Sequence, residues 1–268
     1  MTDFYAVVGH PIAHSLSPTI HREFARQTGQ DLQYRKLLAP IDGFAEVVAA
    51  FRAGGGAGLN VTVPFKEQAF ALATQKTARA LTAGAVNTLK FDNDMVLGDN
   101  TDGAGLARDL TQNLGVPING KFVLLMGAGG AARGVLAPLL QERPAALVLV
   151  NRTSEKAKQL AQQFDKQITA CSYPDLEGQS FDIVINATSA SMTGHVPELP
   201  PTVFAPGALA YDMMYGLETA FMAWAKACNA STIADGLGML VEQAAESFAL
   251  WRGIHPDTQP VIARLRSS

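Results

Sequence analysis

Three polar side chains in one short stretch offer chemistry before any fold is assigned. In Gly58-Leu59-Asn60-Val61-Thr62-Val63-Pro64-Phe65-Lys66, strand alternation puts Val61 and Val63 on one face and Asn60 and Thr62 on the other. Pro64 suits the first position of a following helix, which carries Lys66 into its first turn. A cation there opposes the helix dipole. Lys66 is thus either a surface lysine paired with Glu67 or an ammonium held at a strand end for proton transfer. Asp102, in Asn100-Thr101-Asp102-Gly103, reads equally as a cap for a helix over 103–114 and as a catalytic carboxylate. Ser17 before Pro18 is a good N-cap for a helix over 18–28. Ser15 has no such local duty, and two hydroxyls beside a helix start make a seat for a carboxylate.

A second kind of chemistry is written in Gly127-Ala128-Gly129-Gly130-Ala131-Ala132-Arg133. An apolar run over 122–126 precedes it, a helical segment over 134–140 follows, and a second apolar run over 145–150 ends at Asn151-Arg152-Thr153. Strand, glycine turn, helix and strand form the unit that cradles a dinucleotide pyrophosphate on free N–H groups. A version specific for NAD places a carboxylate at the end of the second strand. Here Arg152 stands there, with Lys156 close behind, and these cations suit a ribose 2′-phosphate, so NADP is expected.

The elements that must position these groups are those of an α/β chain. Short apolar strands (4–9, 32–38, 85–89, 181–186, 209–216) alternate with amphipathic helices (44–52, 154–164, 219–228), and a last helix carries Leu237, Val241, Ala244, Phe248 and Trp251 at core spacing. Ligands of such sheets sit beyond the carboxyl ends of the strands, which places the hydroxyl-rich loop Ala187-Thr188-Ser189-Ala190-Ser191-Met192 near the dinucleotide. With 268 residues, 48% of them hydrophobic and 17% charged, the chain can bury one large or two modest cores. A net charge of −3 without a basic run gives no reason to expect nucleic acid. Neither a secretory signal nor a membrane-length apolar run is visible, so a cytoplasmic chain is expected. Cys171 and Cys228 read as reduced thiols, and no histidine spacing calls for a metal.

Taken together, these stretches resemble the shikimate dehydrogenase family. The likeness rests on Gly9-His10-Pro11, His14 to Pro18, Asn60 to Lys66, Gly84 to Thr88, Asn100 to Gly103, Gly127 to Arg133, Asn151 to Thr153, Asn186 to Ser189, and Asp235 to Val241 with Gln243, in the family's order along nearly the whole chain. It implies two α/β domains about a cleft, a substrate domain over 1–102 plus 236–268 and a Rossmann NADP-binding domain over 103–235. The implied reaction is the reversible, NADP-dependent reduction of 3-dehydroshikimate to shikimate in aromatic amino-acid (chorismate) biosynthesis. Lys66 and Asp102 would be the catalytic pair. Ser15 and Ser17 would bind the substrate carboxylate, with Asn60, Thr62, Asn87, Asp102, Tyr215 and Gln243 around the ring hydroxyls. Gly127, Ala128, Gly129, Gly130, Ala131, Asn151, Arg152, Thr153, Lys156, Thr188, Met213 and Gly236 would line the cofactor. Relatives often carry arginine where this chain has Lys156, and a lysine keeps the charge but loses the fork, which softens the NADP preference. Rival readings are a broader quinate/shikimate dehydrogenase, a folate-type methylene dehydrogenase and a non-catalytic NADP-binding sensor. The expected assembly is a monomer or homodimer acting on a small molecule.

Overall fold

In the computed structural model of the chain, residues 2–164, 166–188, 190, 194–195 and 198–267 are described. The chain divides into two units, Met1–Gly105 with Leu240–Ser268, and Leu106–Met239. Each has its own six-stranded sheet.

The first unit contains β1 (Asp3–Gly9), α1 (Ser17–Thr28), β2 (Leu32–Leu38), α2 (Phe44–Ala53), β3 (Gly56–Val61), α3 (Lys66–Leu72), β4 (Gln75–Lys76), α4 (Ala78–Ala83), β5 (Thr88–Asp92) and β6 (Met95–Asp99). Its strands run in the order β2-β1-β3-β5-β6-β4. The pairs β2–β1, β1–β3 and β6–β4 are parallel, whereas β3–β5 and β5–β6 are antiparallel. One face packs Phe44, Val48 and Phe51 of α2 over Ala6, Val8, Leu59 and Val61. A separate cluster joins Ile20 and Phe24 of α1 to Val241, Ala244, Ala245 and Phe248 of α9 (Leu237–Arg252) and to Val261 and Ile262 of α10 (Gln259–Arg266). Gly58 lets this helical layer approach the sheet: a Cβ there would lie 2.5 Å from Trp251 Nε1, whose N–H donates to Leu89 O at 3.0 Å.

The second unit holds β7 (Phe122–Met126), α6 (Gly130–Gln141), β8 (Ala146–Val150), α7 (Ser154–Ala161), β9 (Ile168–Cys171), β10 (Phe181–Asn186), β11 (Phe204–Asp212), α8 (Ala220–Ala227) and β12 (Thr232–Asp235). All pairings are parallel, in the order β9-β8-β7-β10-β11-β12. Numbered from β7 this is 3-2-1-4-5-6, the doubly wound dinucleotide-binding order. The continuous apolar runs follow from burial on both faces. Val123, Leu125, Leu147, Leu149, Ile183 and Ile185 enter one core, and Leu124, Met126, Val148, Val150 and Val184 the other.

Several expectations are corrected in detail. Val63 lies beyond the end of β3 and is exposed, so the alternation does not continue through it. Pro64 does not open α3: it follows a cis Val63–Pro64 bond, and the helix starts at Lys66. The strand expected over 85–89 starts at Thr88, leaving Asn87 just outside it. The helix expected over 103–114 is α5 (Asp102–Arg108) followed by a π-helical turn, Asp109–Asn113. The strand running into a turn expected over 209–216 is β11, which begins earlier, at Phe204, and ends at Asp212. Ser189, Ser191 and Met192 of the hydroxyl-rich loop lie outside the described residues.

His21 of α1 is fully buried, stacked on Tyr34 with centroids 4.2 Å apart and packed near Phe24, Phe248 and Trp251. Neither ring nitrogen makes a protein hydrogen bond of good geometry, and burial pushes the pKa down to about 3. Between the unfolded value of about 6.5 and that folded value, the unfolded chain binds a proton that the folded chain refuses, so stability present above pH 6.5 is lost as pH falls. A His21→Phe variant should lack this contribution, worth about 1.4 kcal/mol per pH unit below 6.5. Urea unfolding of both proteins at pH 7 and 5 checks it, and parallel losses in the two proteins would refute it.

Candidate active site

In the first unit β5 runs between β3 and β6, and Asn87 sits at its mouth with backbone bonds to both neighbours. Val61 N–H donates to Asn87 O at 2.7 Å, and Asn87 N–H donates to Asp99 O at 3.0 Å. The chain leaving β3 carries Thr62 and Lys66, and the chain leaving β6 carries Asp102. Val86 N–H donates to Lys66 O at 2.9 Å and ties the start of α3 to the segment that holds Asn87. Sheet topology thus brings side chains from three separate segments to one point.

There Lys66 Nζ donates to Asp102 Oδ2 at 2.5 Å, and Asn87 Nδ2 donates to Asp102 Oδ1 at 2.8 Å. Asn87 Nδ2 also lies 3.3 Å from Gln243 Oε1, while Gln243 Nε2 donates to Leu240 O at 2.7 Å. The side chains of Lys66 and Asp102 are 27% and 11% exposed, so the ammonium reaches solvent from a largely enclosed carboxylate. Lys66 pairs with Asp102, and Asp102 is the first residue of α5 with its own N–H bound to Asn100 Oδ1 at 3.2 Å.

The turn bearing Asp102 is braced from behind. Arg79 grips Asp99 through Nε at 2.7 Å and Nη2 at 2.5 Å. Thr77 Oγ1 and Asn100 N–H also donate to Asp99 Oδ1, at 2.5 and 2.8 Å. Burial alone would raise the pKa of Asp99, which is 1% exposed, but the guanidinium and these donors outweigh it and hold the carboxyl below its ordinary range. Arg79 reaches on to Glu246 of α9 at 3.1 Å.

Ser15 and Ser17 lie in the same unit. The N-cap of α1 is Leu16, without a side-chain cap bond, and its first residue is Ser17. Ser17 N–H donates to Ser15 Oγ at 3.3 Å, and the two hydroxyls are 3.2 Å apart. Ser17 is therefore not the cap that the sequence suggests, and Ser15 does have a local partner. Asn60 Oδ1 accepts from Tyr34 OH at 2.7 Å. Gly9 lacks a Cβ that would lie 2.5 Å from Thr62 Cγ2, which lets the turns after β1 and β3 close together.

In the second unit the strand order reverses between β7 and β10, and the loops that follow them touch. Gly127 has φ +111°, and a Cβ on it would meet Ala187 O at 3.1 Å. A Cβ added to Gly129 or Gly130 meets nothing within 4 Å. Protein packing does not require glycine at those two positions, and the bare backbone at the start of the 12-residue α6 has room to receive a phosphate. Asn151 Nδ2 donates to Thr153 O at 2.9 Å, and Arg152, Thr153 and Lys156 are exposed beyond β8 with no carboxylate at the strand end. These groups fit a 2′-phosphorylated dinucleotide. Thr188 donates twice to Asn186 Oδ1, from N–H at 3.1 Å and Oγ1 at 2.7 Å. Asn186 Nδ2 donates to Asp212 Oδ2 at 3.1 Å, which Thr219 Oγ1 also reaches at 2.6 Å. Met213 N–H bonds Asn186 O at 3.0 Å, and Gly236 N–H bonds Met214 O at 2.8 Å. Gly236 has a packing reason of its own, since a Cβ would lie 2.3 Å from Met213 O. Tyr215 follows this turn, half-buried, and burial raises its pKa.

Comparison with known proteins gives matches on both units. Residues 7–89 match the shikimate dehydrogenase substrate binding domain, 107–194 the shikimate/quinate 5-dehydrogenase domain, and 236–266 the shikimate 5'-dehydrogenase C-terminal domain. The chain belongs to the shikimate dehydrogenase family. A family member from Nitrosospira multiformis, named shikimate dehydrogenase (NADP(+)), is 60% identical across 100% of this chain and 98% of its own length. Among solved structures, the Ael1 enzyme of Pseudomonas putida is 48% identical with a TM-score of 0.95, covering 98% of each chain. The shikimate 5-dehydrogenase of Thermus thermophilus, solved in complex with NADP(H) and shikimate, is 31% identical with a TM-score of 0.88 over 99% of each chain.

Within the first unit of this shikimate dehydrogenase family member, Lys66, Asn87, Asp102 and Gln243 are joined directly by hydrogen bonds, although they span most of the sequence. Within the second, Thr188, Met213 and Gly236 are linked through Asn186 and Met214. Sequence reading passed over the supports: Arg79, Thr88, Asp99, Ser247 and Tyr34 in one unit, Asp212 in the other. Nothing local marks them, because each is polar for the sake of a partner distant in sequence.

Removing Arg79 would leave Asp99 buried without its cation. Arg79→Ala should cost about 3 kcal/mol, the lower end for breaking a buried pair, since Arg79 itself is partly solvated. Arg79→Met with Asp99→Asn should cost less than Arg79→Ala alone. Chemical unfolding of the three proteins measures both, and a loss below about 1 kcal/mol for Arg79→Ala would refute the bracing role.

Proposed function

We propose that this chain catalyses the NADP-dependent interconversion of 3-dehydroshikimate and shikimate, a step of chorismate and aromatic amino-acid biosynthesis. The observation that carries the reading is the pair Lys66 Nζ–Asp102 Oδ2 at 2.5 Å, partly open to solvent and bonded to Asn87. It occurs in a chain 60% identical, end to end, to a protein named shikimate dehydrogenase (NADP(+)). A silent NADP sensor has no need of that pair.

The nicotinamide, when bound, supplies or accepts the hydride at the ring carbon. The remaining work belongs to the chain. Lys66 stabilises the developing alkoxide and delivers the proton to it from Nζ, and Asp102 holds that ammonium in place through Oδ2. Ser15 and Ser17 bind the substrate carboxylate. Asn60, Thr62, Asn87, Asp102, Tyr215 and Gln243 hold the ring hydroxyls. Gly127 makes the turn, its own N–H bound to Val150 O at 2.8 Å, so that Ala128, Gly129, Gly130 and Ala131 receive the pyrophosphate on backbone N–H groups, and Asn151, Arg152, Thr153 and Lys156 receive the 2′-phosphate. Thr188, Met213 and Gly236 border the nicotinamide half. The compartment proposed is the cytoplasm, which suits the two unpaired cysteines. Among the described residues no helix is long and apolar enough to cross a membrane.

The test is reduced-nicotinamide absorbance with shikimate or quinate crossed with NADP⁺ or NAD⁺. Shikimate with NADP⁺ should be the fastest pair, and absence of turnover with it would refute the assignment. Lys66→Ala should lower kcat by about 10²–10⁴-fold with little change in KM, and a variant at full rate would remove Lys66 from the chemistry. Arg152→Ala should raise KM for NADP⁺ far more than for NAD⁺, and equal effects on both would refute the phosphate clamp.

A further inference from the structure

Asn60 and Asn87 carry carboxamides, whose oxygen and nitrogen can exchange places by a flip, so which end faces a ligand is decided by surrounding hydrogen bonds. Around them lies a hydroxyl cluster that the chemistry above does not use. Thr88 and Ser247 are both 0% exposed. Thr88 Oγ1 donates to Asn87 Oδ1 at 2.9 Å, accepts from Asn60 Nδ2 at 3.1 Å and lies 2.7 Å from Ser247 Oγ. Ser247 Oγ accepts from Asn60 Nδ2 at 2.9 Å and lies 3.0 Å from Gln243 O, to which it can donate. Thr101 Oγ1 completes the cluster, 2.9 Å from Asn87 Nδ2.

Two groups in this cluster have only one possible polarity. Thr101 N–H can only donate, and it donates to Asn87 Oδ1 at 2.9 Å. Asn87 O can only accept, and Asn60 Nδ2 approaches it at 3.4 Å. The hydroxyl protons of Thr88 and Ser247 can be arranged in more than one way, but each arrangement leaves both amides in the same orientation. Asn87 Oδ1 is consumed by Thr101 N–H and Thr88 Oγ1, and its two N–H groups go to Asp102 Oδ1 and Thr101 Oγ1, with Gln243 Oε1 farther off at 3.3 Å. Both N–H groups of Asn60 are consumed by Ser247 and Thr88, so Asn60 offers only the lone pair of Oδ1 that Tyr34 OH leaves. An unpaired hydroxyl or amide in so closed a place carries its full desolvation cost, which is what makes the arrangement rigid.

We infer that Thr88 and Ser247 are positioning residues for substrate selection: together with Asn87 O their hydroxyls take the N–H groups of Asn60 and hold its oxygen outward, so that the ring hydroxyl at Asn60 must donate, while Thr88 and Thr101 N–H keep Asn87 Nδ2 on Asp102. This rests on the proposed dehydrogenase reading for the identity of the ligand, but the amide locking does not. The same lock keeps Asn87 N–H on the Asp102 carboxylate.

Thr88→Val keeps the side-chain shape and loses the hydroxyl, whereas Thr88→Ser keeps the hydroxyl and loses a methyl. Steady-state kinetics with shikimate and NADP⁺ should show kcat/KM for shikimate lowered by about tenfold in Thr88→Val and within about twofold of the parent in Thr88→Ser, the size expected for one lost buried hydrogen bond. KM for NADP⁺ should not move. Preference for shikimate over a ring analogue lacking one hydroxyl should narrow in Thr88→Val. Ser247→Ala should follow Thr88→Val. Equal losses in Thr88→Val and Thr88→Ser, or a loss with unchanged discrimination, would mean that Thr88 only packs and would overturn the inference. An activity-independent reading uses the side-chain amide protons of Asn60 and Asn87 by ¹⁵N NMR. Their exchange with solvent should quicken in Thr88→Val and not in Thr88→Ser. Unchanged exchange overturns the inference whatever the kinetics, whereas a parent protein inactive on shikimate overturns only the functional reading.

Discussion

A carboxylate with both oxygens already spoken for is the constraint on which the first unit depends. Asp102 has one oxygen on Lys66 and the other on Asn87, in a position mostly withdrawn from water. Such a group is tolerated only when its partners are held still, because an unsatisfied buried charge costs several kcal/mol. The structure meets this in successive steps. Asn100 takes the N–H of Asp102, Asp99 takes the N–H of Asn100, and Arg79 takes Asp99. Asn87 is held by backbone bonds to the strands on either side. Each brace is a polar group that would be unfavourable alone and is favourable in company.

The second unit meets a different demand with the same economy of means. Its glycines fall into two kinds. Gly127 and Gly236 are small because neighbouring backbone comes too close, at Ala187 and Met213 respectively. Gly129 and Gly130 face open space, so no neighbouring protein atom accounts for their lack of a side chain. Around the reversal of strand order, Asn186 and Asp212 are fully buried and spend their side chains on the turns that bear Thr188 and Met214. Loops at the mouth of the sheet thereby gain a fixed shape from strand-end residues that never face the mouth themselves.

The polarity of these networks bears on specificity. Shape alone distinguishes a carbocyclic ring from a larger ligand, but a donor and an acceptor in fixed places distinguish a hydroxyl that donates from one that accepts. Asn60 and Asn87 each have their inward hydrogen-bonding capacity filled. For Asn60 the leftover is its oxygen, and that is set by Asn87 O and the hydroxyls at positions 88 and 247 rather than by the amide itself.

Much of this protein is legible in its residues. The α/β class, the strand at 122–126, the glycine turn and the basic groups after β8 are local patterns whose physics acts within a few residues: burial on both faces, positive φ, free N–H groups, the sign of a charge. Lys66 stands out because a lysine at a helix start is locally odd, whereas Asp102 before a glycine reads locally as an ordinary cap. Other features had no local cause to show. The strand order 3-2-1-4-5-6 and the start of β5 after Asn87 rather than before it depend on which segments pair across the sheet. The partnership of Thr88 with Ser247, 159 residues away, exists only once α9 lies against β5. Local sequence decides which groups can donate or accept, whereas the fold alone decides which of them are withdrawn from water and must therefore find one another.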